Sequence, residues 1–184
     1  MTGEQGTTVK QILEALLFAT DEPLSVKAMI EIFGDFEGPL PQKRINEQVI
    51  LDGIEQLNKE YGETRRSMQI VKVAGGYQFA TLPQYATWLG KMVKERGKRK
   101  LSVSALESLA VIAYKQPVTK PEIESIRGVN ADYVIHTLLE RTMITIVGRA
   151  ATPGRPLLYG TTKDFLKHFG LNDLSDLPKP REIE

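Results

Sequence analysis

The side chains able to do chemistry are few and poorly placed for it. His136 and His168 are the only histidines among 184 residues, and there is no cysteine. Neither histidine stands at metal-ligand spacing from the other or from a carboxylate, and a lone histidine is more often structural or solvated than ligating. Without cysteine there is no thiolate site, no cysteine nucleophile and no disulfide. The glycines of Pro153–Gly160, "PGRPLLYG", fall in an expected turn between strands rather than between a strand and a helix, so they do not form a phosphate cradle. Nucleophile elbows and paired-carboxylate signatures are missing as well. The residues therefore point away from an enzyme, a bound cofactor or a small-molecule substrate, and toward binding. One cluster stands out for charge. "KMVKERGKRK", residues 91–100, carries six cations, Lys91, Lys94, Arg96, Lys98, Arg99 and Lys100, against one glutamate. It reads either as the solvated end of a helix plus a linker or as a sequence-blind contact to nucleic-acid phosphates.

Bulk properties fit a binding role without naming a partner. A hydrophobic fraction of 41% with 26% charged residues is that of an ordinary globular chain able to bury a core. Lysine and arginine total 24 against 23 acids, so the net charge of +1 gives no overall pull toward nucleic acid. The opening "MTGEQGTTVK" lacks a basic, apolar leader and no apolar run reaches membrane-spanning length, so a cytoplasmic protein with no membrane partner is expected.

The elements that position these residues come twice. "PLSVKAMIEIFG" begins at Pro23 and "PVTKPEIESIRG" at Pro117, with proline, a hydroxyl residue and a closing glycine in register. Each follows an apolar helix, "ILEALLFA" and "ALESLAVIAY", so a folded unit is repeated. In the first copy Ile12, Leu13, Leu16 and Leu17 share one helical face, while Phe18 points away from it toward a second burial surface. Ser25 caps the next helix and Gly34 is expected to close it in the left-handed conformation. A third helix follows with Ile45, Val49, Ile54 and Leu57 inward, stopped at Gly62. "SMQIVKV" and "YQFATL" then form a hairpin around Gly75 and Gly76. In the second copy Thr119 and Glu122 make a capping box, Gly128 ends the helix, and Asn130 caps a third with Val134, Leu138 and Leu139 inward. "MITIVGR" and "PLLYGTT" make the second hairpin. Helices meeting at a glycine-bearing turn before a hairpin predict a mainly α fold with small β-hairpin wings (α+β), two winged-helix domains in tandem. The expected bounds are a polar tail over 1–8, a first domain over 9–90, the basic linker over 91–100 and a second domain over 101–164. Residues 165–184 follow, with Phe165, Leu166, Phe169, Leu171, Leu174 and Leu177 expected to cover the second domain's open edge.

A DNA reader of this class presents cations and amides from its third helix. Here that helix offers Asp132, His136, Thr137, Glu140 and Arg141, close to neutral, and the first copy balances cations with acids. By contrast "LESLAVIAY" is apolar almost all round and is expected to be buried on more than one side.

"GGYQFAT", "LSVSALESLAVIAYKQPVTKPEIESIRGVN" and "VGRAATPGRPLLYGTTKDFLKHFGLNDLSDLP" resemble the signature blocks of the bacterial segregation and condensation protein B family, from about Ile12 to Pro178. Thr142 and Met143 stand where glycine and leucine are usual. The resemblance implies a homodimer formed through the first domain, to which Phe18 would contribute. It implies that the second domain helps clasp a kleisin (segregation and condensation protein A) and reaches SMC ATPases through it, in a nucleoid-associated complex that touches DNA indirectly or weakly. For the kleisin surface the candidates are Tyr114, Arg127, Arg149, Arg155 and Tyr159, since tyrosine and arginine dominate interface hot spots. The competing reading is a tandem winged-helix transcriptional regulator.

Overall fold

Several helices in this chain begin where a side-chain oxygen takes up an orphan backbone amide. The structure, a computed structural model, describes residues 8–34, 45–95 and 101–179, without the side chains of 93–95. The chain divides into two units, Met1–Gly97 and Lys98–Glu184. In the first, Thr8 and Gln11 exchange bonds as a capping box at the start of α1 (Val9–Ala19). The Ser25 hydroxyl accepts from the Ala28 amide at the start of α2 (Val26–Gly34), and the Asn46 side chain accepts from the Val49 amide at the start of α3 (Glu47–Glu63). Strands β1 (Met68–Val73) and β2 (Gly76–Thr81) pair antiparallel, and a 3-10 turn leads into α4 (Ala86–Glu95).

The first core joins Leu13 and Leu17 of α1, Met29 and Phe33 of α2, and Ile50, Ile54 and Leu57 of α3 to Ile70 of β1. Polar pairs fix how α3 meets its neighbours. Asn58 donates to the Ile70 carbonyl at 2.9 Å and accepts from the Ile70 amide at 2.7 Å, a two-way clamp on β1. The Tyr61 hydroxyl donates to Glu14 at 2.7 Å, and burial together with that carboxylate pushes its pKa up.

Four local expectations are corrected here. Helix α3 starts at Glu47, which sets its phase so that Ile50 is buried and Val49 only half-buried. Gly62 lies within it, and Thr64 caps it. Gly34 is the last helical residue of α2 and has no left-handed φ. The hairpin turn is Ala74–Gly75, with φ of 50° and 74°, the mirror-image turn that matches strand twist. Gly76 is instead the first residue of β2, and glycine is needed there for approach. A Cβ on it would lie 2.7 Å from the Pro23 carbonyl carbon, where Leu24 and Tyr77 exchange backbone bonds of 2.9 Å.

The second unit repeats the plan with more sheet. Helix α5 (Val103–Lys115) leads through strand β3 (Val118–Thr119) to α6 (Lys120–Arg127) and α7 (Asp132–Glu140), then β4 (Ile144–Arg149), β5 (Leu157–Thr161) and α8 (Lys163–Phe169). The sheet order is β3-β5-β4, all antiparallel, with an irregularity between Ile146 and Gly148. Thr119 donates from both its amide and its hydroxyl to Glu122, which holds that carboxyl below its ordinary range. Gly128 closes α6 at φ 68° as expected. The cap of α7 is Ala131, not Asn130, whose side chain accepts from the Asp132 amide two residues on. Ile135 and Leu138 point inward from α7, and Val134 and Leu139 are half-buried. The core gathers Leu109, Ile112, Ile123, Ile135, Leu138, Ile144 and Phe165. Leu166, Leu171 and Leu177 pack against it, whereas Phe169 and Leu174 stay exposed. Both units are winged helices, mainly helical with small antiparallel sheets.

The approach of Gly76 to Pro23 sets a test. Gly76→Ala forces the hairpin off the α1–α2 connection and should lower the stability of the first unit by about 1–3 kcal/mol. Hydrogen exchange at Leu24 and Tyr77 would show it as lost protection, with the second unit unchanged. Unaltered protection at both amides would contradict the packing.

Candidate partner-binding surfaces

Within its own unit α5 is buried on one side only, so the second buried side expected of it is not supplied by the core of that unit. Ala105, Ser108, Leu109, Ile112 and Ala113 face the core, while Val103, Leu106, Ala110 and Tyr114 are exposed. The spacing of those four, at i, i+3, i+7 and i+11, puts them on one outer stripe. Tyr114 stands at its C-terminal end, its hydroxyl donating to the Pro178 carbonyl at 2.5 Å.

The candidate interface residues separate into two groups. Arg127 turns inward along α5 with its side chain 14% exposed. Its guanidinium donates to the Ser104 carbonyl at 2.8 Å, to the buried Ser108 hydroxyl at 2.6 Å and to Glu107 at 2.6 Å. It ties the C-terminus of α6 to α5, a use that needs the planar fork of arginine. Tyr159 is 7% exposed in the centre of the sheet, paired across from Val118 and Ile146. Arg149 and Arg155 are exposed on the wing, where Arg149 donates to the Arg155 carbonyl at 3.2 Å and Arg155 takes a positive φ of 43°. Tyr114, Arg149 and Arg155 are thus presented to solvent, whereas Arg127 and Tyr159 serve the unit's own structure.

On the face where a winged helix would read a DNA groove, α7 shows Asp132, Tyr133, His136 and Glu140. Lys120 bridges Glu124 and Asp132, and its hydrogen bond holds the Asp132 carboxyl below the usual range. The His136 ring lies 3.5 Å from Glu140. Tyr133 is 82% exposed, with Ile126 and Val129 exposed before it on the same helix-turn-helix segment. Sequence reasoning passed over these three residues. Their signal was the absence of any polar role in so hydrated a position. The face is apolar and acid-containing, the opposite of what phosphates attract.

In the first unit Phe18 is 82% exposed at the end of α1. Trp88 and Met92 are exposed on α4, another pair the sequence reading did not single out. Lys91 is exposed; Arg96, Lys98, Arg99 and Lys100, and the side chain of Lys94, lie outside the described residues. Among the described residues no group of three or more His, Cys, Asp or Glu side chains could hold a metal ion, and no helix is long and apolar enough to cross a membrane.

Two winged helices in tandem, the second with exposed apolar residues Ile126, Val129 and Tyr133 and a groove-facing helix carrying Asp132 and Glu140, define a tandem winged-helix protein. The family model of the segregation and condensation complex subunit ScpB matches residues 11–180, and the chain belongs to that family. Segregation and condensation protein B of Symbiobacterium thermophilum is 45% identical over 175 residues, covering 95% of this chain and 74% of the relative. Among solved structures, ScpB from Mycobacterium tuberculosis is 31% identical, covering 88% of this chain and 94% of that one, with a TM-score of 0.40. A dimer of an ScpB N-terminal domain complexed with ScpA peptide is 29% identical over 48% of this chain and 95% of that one, with a TM-score of 0.39.

The Arg127 fork gives the second unit a measurable weak point. Arg127→Ala removes three bonds and leaves the buried Ser108 hydroxyl without its donor, which should cost about 1–3 kcal/mol in denaturant unfolding. Arg127→Lys should recover only part of the loss, because an ammonium cannot span the three acceptors. Full stability in Arg127→Ala would show that the fork is dispensable.

Proposed function

We propose that this protein is a non-catalytic scaffold subunit of a condensin-like SMC–kleisin complex, acting in chromosome condensation and partition in the cytoplasm at the nucleoid. The observation that carries this reading is family membership over residues 11–180 on a fold whose groove-reading helix, α7, lacks a cationic face. The first unit, residues 9–90, associates with a second copy. The second, residues 101–164 together with the C-terminal segment whose Leu166, Leu171 and Leu177 pack on it, helps hold the kleisin, and the SMC ATPase is reached through the kleisin. Residues 91–100 join the two. Tyr114, Arg149 and Arg155 are the kleisin contacts this reading favours, because they are solvent-exposed and of the residue types that dominate hot spots. Arg127 and Tyr159 act on that surface only by holding α5 and the sheet in place.

Co-purification with the cognate kleisin tests this. Arg149→Glu combined with Arg155→Glu should weaken capture at least about tenfold while the melting curve is retained, since both side chains are exposed. Capture indifferent to these changes and to Tyr114→Ala would remove the assigned surface.

DNA binding separates this function from a transcriptional regulator. A scaffold's own DNA affinity should be sequence-blind and carried by the basic linker. Replacing Lys91, Lys94, Arg96, Lys98, Arg99 and Lys100 by glutamine should flatten the log–log salt slope by at most about five units. Kleisin capture should survive it. A preferred site selected from random duplexes, retained after that neutralisation, would favour the regulator.

A further inference from the structure

We propose that the outer edge of β4 takes an extended, acid-bearing segment of the kleisin as an added strand, with the Ile146–Arg149 backbone as its template. This rests on the kleisin reading above and says how the second unit makes that contact. In the sheet order β3-β5-β4, strand β4 has a neighbouring strand on one side only. The Thr161 amide donates to Gln116 at 2.7 Å, on the β3 side of β5. Backbone direction alternates along a strand, so Tyr159 faces β3 as well. Ile146 lies across from Tyr159 on β4 and therefore turns its amide and carbonyl out of the sheet. Toward the wing tip Ala150 donates to the Pro156 carbonyl at 2.9 Å, which leaves Arg149 beside it facing outward too. Ile146 and Val147 are 48% and 54% exposed, an apolar strip along an unpaired edge.

The duplicated unit shows how such an edge is closed. Leu24 and Val118 occupy the same place in the two copies and pair with Tyr77 and Tyr159, so these tyrosines mark one position. Opposite Tyr77 on β1 is the exposed Lys72, and opposite Tyr159 on β4 is Ile146. Two places before Lys72, Asn58 occupies both the amide and the carbonyl of Ile70. A lysine and occupied backbone groups keep foreign strands off an edge. The second unit has neither at Ile146, whose backbone meets no side-chain partner among the described residues.

Charge identifies the occupant. From Thr142 to Thr162 the charged residues are Arg149 and Arg155, both exposed. A strand laid on β4 meets two cations and no anion in this hairpin, which favours carboxylates in the segment that binds, beside apolar side chains for Ile146 and Val147. The irregularity between Ile146 and Gly148 bends the edge, so the added strand is short.

Hydrogen exchange on the intact chain, with and without the cognate kleisin, reads the Ile146 and Arg149 amides directly. Both should exchange freely in the kleisin-free chain and slow at least about tenfold in the complex. Isotope-labelled kleisin should gain the infrared band of a β-strand on binding. Ile146→Lys, which copies Lys72, should weaken capture at least about tenfold with an unchanged melting curve, while Ile146→Val should capture as the wild type does. Capture with both amides left unprotected would overturn strand addition and leave the kleisin reading standing. Slow exchange at Ile146 without kleisin would overturn it too, since the chain itself would then cover the edge. Undiminished capture by Ile146→Lys has the same consequence. A wild-type chain that fails to capture the kleisin at all would remove the kleisin reading together with this one.

Discussion

A core assembled from three helices and a hairpin can cover only one side of each helix, and the arrangement of both units follows from that limit. Domains of this size have too much surface for their volume to hide every apolar side chain. The first unit spends its interior on Leu13, Leu17, Met29, Ile50 and Leu57, and the second on Leu109, Ile112, Ile123 and Leu138. Part of what the cores cannot take is grouped on the outside rather than scattered. Val103, Leu106 and Tyr114 lie along α5, Ile126, Val129 and Tyr133 on the helix-turn-helix segment, and Trp88 with Met92 on α4. Contiguous apolar surface of this kind marks contact with other proteins.

Polar interactions inside the units decide how those surfaces are aimed. Asn58 locks α3 to β1, and Arg127 locks α6 to α5. Each is a multi-point clamp that leaves little freedom for the elements it joins, and a rigid face loses less entropy when a partner binds it. The acid pairs on α7 act on selectivity instead. With Asp132 and Glu140 on the outer face, the helix that other winged helices place in a DNA groove is ill suited to phosphates. Under the proposed function, the second unit can thereby carry a protein contact with little competition from nucleic acid.

Much of the fold was legible because its signals are local. Gly128 was readable from a capping box, a short amphipathic helix and a terminal glycine, all within ten residues, and it takes the left-handed φ of 68°. The start of α1 was readable from its apolar phase in the same way. Where tertiary approach decides, the sequence misled. The glycine pair at 75 and 76 suggested one turn, but only Gly75 turns, while Gly76 makes room for Pro23, 53 residues earlier. The two-residue strand β3 has no periodicity to detect and exists because β5 lies beside it. The same limit applies to the surfaces. Residue type nominated Arg127 and Tyr159 together with Arg149 and Arg155, yet Arg127 finds its acceptors some twenty positions away on α5 and Tyr159 lies in the core. Trp88 and Tyr133 went unremarked because exposure, not identity, makes them notable.

The central claim is a division of labour between two copies of one fold, and hydrogen exchange on the intact chain addresses it most directly. Dilution through dimer dissociation and addition of the kleisin are two separate perturbations whose protection can be mapped residue by residue. The account predicts that dimerisation protects amides in the first unit alone, and that the kleisin adds protection in the second unit, on α5 and the wing. Kleisin-induced protection confined to the first unit, with α5 and the wing unchanged, would contradict it.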